Sequence, residues 1–291
     1  MTDILNRIRD LPIWKDPITL APLEGGITNV NYLVEDMTGK YVVRVGDDIP
    51  EHQVMRFNEL AASRAAHAAG VSPAVVHAEH ALTVLEFIDS KTLAPEDVRD
   101  PDMLPRILNL VKRCHREVPN HLRGPALIFW VFHVIRDYGA TLADKGSAHG
   151  PLVQELVGIG NALEQAAGPF DMVFGHNDLL AANLLDDGDR LWLIDFDYAG
   201  FNSPLFDLGG LASNNELTAA QEQWLLEAYF DAPVTDHLRH RYEAMKCASL
   251  LRETMWSMVS ELTSTLDFDY AAYTAENLAR FRAAHDEFLN S

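Results

Sequence analysis

The sequence predicts an α+β protein of two lobes: an N-terminal antiparallel sheet carrying one helix, residues 1–88, and a larger, mainly helical C-terminal lobe, residues 89–291. Three observations predict this. Short runs of alternating apolar and polar residues, separated by glycine turns, fill the first 87 or so residues. After Pro95 the pattern changes to long stretches of helical periodicity. A single polar island, Gly175 to Asp197, interrupts those helices between short apolar runs.

In order, Ile18 to Leu23 reads as a strand, Gly25-Gly26 as a turn, and Thr28 to Glu35 as a second strand. Thr38-Gly39-Lys40 signals a hairpin into Tyr41 to Val45. His52 to Ala69 is an alanine-rich helix stopped by Gly70. Pro73 to His77 and Leu82 to Phe87 complete the sheet, and Ser90 and its neighbours form the linker. Helices are expected from Pro95, then at 102–118, 126–145 and 150–167, with strands at Met172 to Phe174 and Leu191 to Ile194. Further helices follow at 204–213, 218–230, 235–262 and 270–288. Ala126 to Ile135, the longest apolar stretch, is too short to span a bilayer and reads as core helix.

At 291 residues and 48% hydrophobic content the chain can bury a large core. Its 43 acidic against 23 basic residues give a net charge of −20. That argues against nucleic acid or an anionic membrane surface as a partner. It suits a cationic substrate, although solubility accounts for most of it. Cys114 and Cys247 stand alone, with no metal-ligand spacing, as in a reducing cytoplasm. Met1 to Arg7 lacks a signal-peptide pattern, so a cytoplasmic protein without membrane insertion is expected. A homodimer is left open.

The polar island carries the chemistry. His176, Asp178 and Asn183 form H-x-D-x-x-x-x-N, and Asp195 follows twelve residues later in Ile194-Asp195-Phe196. This is the pattern of a phosphoryl-transfer loop and its metal-binding partner. Asp178 can accept the proton of an attacking hydroxyl. Asn183 and Asp195 offer hard oxygens suited to Mg²⁺. His176 braces such a loop more often than it transfers protons. The first half alone would arise by chance in roughly one chain in a hundred of this length; the second half makes a mere polar loop a much weaker explanation.

Over this island the small lobe should place a nucleotide cover. Gly25, Gly26, Thr28 and Asn29 connect two strands, and the glycines let backbone N–H groups approach phosphate, though most such pairs are only turns. Arg44 in the third strand can fork onto phosphate oxygens or stand as an exposed edge cation. Glu59 on the following helix can pair with it. At Glu86-Phe87 the backbone would meet an adenine ring.

At these residues the chain resembles the choline/ethanolamine kinase family, within the aminoglycoside-phosphotransferase-like branch of the protein-kinase-like fold. The matching pieces are Gly25 to Asn29, Val42 to Val45, Gly175 to Asn183, Ile194 to Asn202 and Phe206 to Gly209. Asn177 between His and Asp, Arg44 instead of Lys, and Asp197-Tyr198-Ala199-Gly200 favour this family over the aminoglycoside kinases. The resemblance implies ATP and Mg²⁺, with Asp178 as base and Asn183 and Asp195 on the metal. Arg44 would hold the nucleotide phosphates and Asp207 would brace the loop. Asp197 and Tyr198 would lie toward a small cationic alcohol, choline or a relative of it.

The family's late helix resembles Ser249 to Ser260, where Trp256 matches one tryptophan of the substrate pocket and Glu253 replaces another. Trp256 as plain helix core is an even alternative. Phe201, Trp130 and Tyr242 are further candidate walls. Leu180-Ala181-Ala182 is less polar than the family's pattern, and the chain is compact. Rival readings are a kinase of an aminoglycoside, thiamine or amino sugar, and a nucleotide-binding protein without catalysis. A protein kinase fits poorly, because no Arg precedes Asp178 and no Ala-Pro-Glu segment follows.

Overall fold

The computed structural model of the chain describes residues 2–15, 17–23 and 29–290. Helix α1 (Thr2–Arg9) leads into strands β1 (Thr19–Leu23), β2 (Val30–Glu35) and β3 (Lys40–Val45). After helix α2 (Arg56–Ala68), β4 (Val75–Glu79) and β5 (Leu82–Glu86) complete a five-stranded antiparallel sheet in the order β1-β2-β3-β5-β4. Alternation works here as period two requires. Val34, Val43 and Val84 face a small core closed by Ile8 and Leu11, while Arg44 turns to the opposite side. Asp36 sets the β2–β3 hairpin by accepting from the backbone N–H groups of Thr38 and Gly39.

The helix expected from His52 starts at Arg56. Before it, Pro50–His52 forms a single 3₁₀ turn and Gln53 takes a left-handed φ of 59°. Ile49 and Val54 pair across that turn, so it stores a bridge instead of a helical turn. The alanine face of α2 (Ala62, Ala65, Ala66) joins the core of the large lobe, beside Val98, Ile107 and Val111. Small side chains let the helix approach that closely.

Strand β6 (Lys91–Thr92) and helices α3 (Pro95–Val98), α4 (Met103–Glu117), α5 (Val131–Asp144) and α6 (Gly150–Ala167) follow. Next come β7 (Val173–Gly175), β8 (Leu184–Asp186), β9 (Leu191–Leu193) and β10 (Gly200–Asn202). Helices α7 (Pro204–Asn214), α8 (Ala219–Phe230), α9 (Asp236–Thr263) and α10 (Tyr270–Leu289) close the chain. Ser203, Thr218, Thr235 and Asp269 cap α7 to α10, each accepting a backbone N–H of the first turn. The long α9 runs through the lobe against α5, α6, α7 and α10. Among the described residues, no helix is long and apolar enough to cross a membrane.

The apolar stretch from Ala126 is helical only from Val131. Leu127 to Phe129 instead run extended beside Phe201, whose N–H donates to Leu127 and whose carbonyl accepts from Phe129. Gly200 permits this approach: a Cβ there would lie 2.9 Å from the Leu127 carbonyl oxygen. The short strands β8 and β10 also escaped the sequence reading, because three residues are too few to show a period.

Candidate active site

The polar island forms a loop between β7 and β8, followed by the β8–β9 hairpin. Two links fold it onto itself. His176 Nε2 meets the Ile194 carbonyl at 2.9 Å, which fixes the ring's proton on that nitrogen. The Ile194 N–H donates to the Asn183 carbonyl at 3.0 Å. Asp195 therefore emerges beside Asn183. His176 is fully buried, packs edge-on against Phe196, and is pushed by burial toward the neutral form. It holds the loop and carries no mobile charge.

Asn183 donates its side-chain amide to the Asp178 carbonyl at 2.9 Å and to Asp178 Oδ2 at 3.3 Å. With the nitrogen committed to Asp178, its Oδ1 is the atom left for a metal ion. Burial pushes the Asp178 carboxyl up to about 7; Arg252 pulls it down, and Glu253 adds to the rise. Asp195 behaves in the opposite way. Burial opposes its charge, but Arg44 overcomes that and holds it below the usual carboxylate range. Asn177 and Asp195 both have φ of 66°, a left-handed geometry rare for residues other than glycine.

Asp207, at the start of α7, keeps Asn177 in that geometry. It accepts from the His176 N–H at 2.8 Å, the Asn177 N–H at 2.7 Å and His115 Nε2 at 2.9 Å. Asn177 spends its own amide on the Tyr198 carbonyl at 2.9 Å. The floor of the site is thus tied from behind at both ends.

Above it, Arg44 and Arg56 face Glu59, Asp195 and Asp197. Arg44 Nη2 lies 2.6 Å from Asp195 and 2.9 Å from Asp197, and Nη1 lies 3.3 Å from Glu59. Arg56 Nη1 reaches Glu59 at 2.6 Å and Asp197 at 2.7 Å, and Nη2 donates to Asn29 at 2.7 Å. Two guanidiniums face three carboxylates there, and burial still pushes the Asp197 carboxyl up. The hard oxygens of Asn183 and Asp195 fit Mg²⁺, which keeps part of its shell for water and phosphate.

The sequence-predicted residues divide accordingly. Asp178, His176, Asn183, Asp195, Arg44, Glu59 and Asn29 come together. Gly25, Gly26 and Thr28 lie outside the described residues. Asp197, expected toward the acceptor, sits instead between Arg44, Arg56 and Asn29 and is buried there. Glu86 is exposed at the end of β5, and its N–H and that of Phe87 are spent on Ala74 and Lys40, so neither is free for a purine.

On the acceptor side Tyr198, Trp256 and Glu253 do cluster. Trp256 Nε1 donates to the Tyr198 hydroxyl at 2.9 Å, and Tyr273 donates to Glu253 at 2.8 Å. However, Trp256 is 4% exposed, with its face against His52 at 5.0 Å. The Arg252 guanidinium already covers the Tyr198 ring at 4.5 Å. Phe201, Trp130 and Tyr242 lie elsewhere: Phe201 packs on Phe174, Trp130 stacks on Phe170, and Tyr242 is sealed in the core between Arg239 and Lys246.

Three participants escaped the sequence reading. Arg56 was hidden because Asp197 and Asn29, the partners that tie it to the site, are far away along the chain. Asn58 ties α2 to the mainly helical part of the chain by donating to the Ala199 carbonyl at 2.7 Å and accepting from the Leu127 N–H at 3.1 Å. Arg252 had a usable signal, a lone cation in the apolar run around Trp256.

A family model described as choline/ethanolamine kinase matches residues 20–224. The chain is 29% identical to a probable ethanolamine kinase A of Dictyostelium discoideum, over 94% of this chain and 88% of that protein. It is similar to a solved choline/ethanolamine kinase family protein of Mesorhizobium loti, with 28% identity, a TM-score of 0.74, and coverage of 98% and 95%. It shares its fold with a choline kinase of Streptococcus pneumoniae, with 20% identity, a TM-score of 0.77, and coverage of 97% and 99%.

Proposed function

The chain belongs to the choline/ethanolamine kinase family, and from that premise we propose that it moves the γ-phosphoryl group of ATP to the hydroxyl of a small amino alcohol. The observation that carries the reading is the folded-back loop: Asn183 bonded to Asp178 at one end and paired with Ile194, next to Asp195, at the other. Asp178 accepts the hydrogen bond of the attacking hydroxyl and takes its proton as the new O–P bond forms. With its carboxyl near 7, it is ionised in part at neutral pH and basic enough to hold a proton. Asn183 and Asp195 would hold Mg²⁺, which, when bound, neutralises charge on the ATP phosphates. Arg44 and Arg56 hold the lobes together and place a guanidinium where phosphate charge arrives.

For the amine, the arrangement supports recognition by Glu253 over an aromatic cage. The ring faces of Trp256 and Tyr198 are already occupied by His52 and Arg252. A trimethylammonium needs such faces within about 6 Å, whereas a primary ammonium can donate to a carboxylate. A primary amine such as ethanolamine therefore fits better than choline. The division into a nucleotide-covering lobe, 1–88, and a catalytic lobe, 89–291, belongs to the same proposal.

Asp178→Asn tests it. ADP release with ethanolamine or choline should fall about 10²–10⁴-fold, while calorimetry still registers ATP binding. Turnover at the parental rate would remove Asp178 from the role of base.

A further inference from the structure

Arg252 lowers the pKa of the Asp178 carboxyl and covers the Tyr198 ring; it is also 4% exposed and lines the same small cavity as Asp178. Its Nη1 donates to Glu253 at 2.5 Å. Its Nε and Nη2 have no hydrogen-bond partner among the described residues. Those two nitrogens form the side edge of the guanidinium, which presents parallel N–H groups at the spacing of the two oxygens of a carboxylate. A buried edge of this kind is costly to leave bare.

The cavity brings Asp178 and Glu253 to one space beside Arg252. Its walls come from the catalytic loop (Asn177, Asp178), α7 (Asp207, Gly210) and α9 (Ser249, Glu253), and neither Arg44, Asp195 nor Asp197 lines it. At about 10 Å³ it has room for roughly one water. An acceptor must therefore part the Arg252–Glu253 contact to enter. A simple monocation would satisfy Glu253 and strand the guanidinium. A molecule bearing both an ammonium and a carboxylate replaces the broken pair charge for charge.

We propose that the acceptor is a hydroxylated zwitterion, its carboxylate on the Nε–Nη2 edge of Arg252, its ammonium on Glu253 and its hydroxyl toward Asp178. This rests on the amino-alcohol kinase reading. The acceptor oxygen bonds to the γ-phosphorus, the bond from that phosphorus to the β-phosphate bridging oxygen breaks, ADP leaves, and the hydroxyl proton passes to Asp178.

The test is ADP release at saturating MgATP with ethanolamine, choline, L-serine, L-homoserine and L-carnitine as acceptors. At least one zwitterion should exceed both simple cations in kcat/KM by about tenfold or more, since a site built to bond a polar group rejects analogues lacking it. Arg252→Met should erase that preference mainly through KM, and Arg252→Lys should restore part of it. Higher kcat/KM for choline or ethanolamine than for every zwitterion overturns the inference and leaves the kinase reading intact. An equal fall in kcat for all acceptors in Arg252→Met also overturns it, by limiting Arg252 to its pull on the Asp178 carboxyl or to the transferring phosphoryl group. A chain that binds MgATP and phosphorylates none of the five sinks both readings. The wild-type panel decides even where a variant fails to fold.

Discussion

Replacing Asp207 by Asn separates stability from positioning. The carboxylate accepts from the His176 and Asn177 N–H groups and from His115 Nε2 at 2.7–2.9 Å, and it is 2% exposed. Burial alone would raise its pKa, yet the hydrogen bond and the charge at His115 outweigh burial and leave it lowered. An asparagine can keep its one oxygen on the His176 N–H and His115 Nε2, which share Oδ2, and then points its NH₂ at the Asn177 N–H, so one charge-assisted bond is lost. At roughly 1.5–3 kcal/mol for that bond, the Tm of a chain of this size falls by about 3–6 °C. The catalytic effect is distinct. Asn177, one residue before Asp178, is held at φ 66° by these bonds. Its relaxation moves the base, and a displacement of about 1 Å costs on the order of 10²-fold in kcat. The assays are scanning calorimetry and steady-state ADP release well below the variant's Tm. A normal kcat in a variant destabilised as expected would refute the positioning argument and reduce Asp207 to a structural tie. An unchanged Tm would refute the hydrogen-bond energetics as well.

Other perturbations follow from the same geometry. The acid limb of kcat/KM should fall about tenfold per pH unit below the Asp178 value, which burial pushes up to about 7, and Asp178→Asn should remove the limb. The stability sign is the reverse of a paired carboxylate. The folded pKa lies above the unfolded value of about 3.9, so the ionised group costs stability above about pH 7, and that cost is relieved as the pH falls toward 4. Asp178→Asn should therefore raise Tm near pH 8 and leave it unchanged near pH 4, measured by thermal melts across pH. Arg44→Met leaves Asp195 without a guanidinium and leaves the buried Glu59 and Asp197 to share Arg56 alone. A loss of about 3–5 kcal/mol by denaturant titration is expected, with a higher KM for ATP. Asn58→Ala removes both of its inter-element bonds; it should cost about 2–3 kcal/mol and leave the acid limb of the pH profile in place.

The loop proposed as catalytic and its partner Asp195 were legible in the chain because their spacing is local. One turn and one hairpin bring Asp178, Asn183 and Asp195 together, and the residue types carry the proposed chemistry. The long helices were legible for the same reason: α6 and α9 show several periods each, and their ends carry recognisable caps or stops. Where the signal was short or borrowed from elsewhere, it failed. Ala126 to Trp130 has helical hydrophobicity, but its hydrogen bonds are claimed by Phe201 and Asn58, far along the chain.

The amino-acid sequence by itself determined the two-lobed α+β outline and the family, and it supplied the residues proposed for phosphoryl transfer and for Mg²⁺. Tertiary structure alone decided which charges face one another. It turned Asp197 to the arginines of the small lobe, brought Arg56 to the site and laid Arg252 across Tyr198. The physical reason is that local pattern fixes which face of an element is apolar. The partner of a buried charge is chosen by desolvation, which only the packed elements impose.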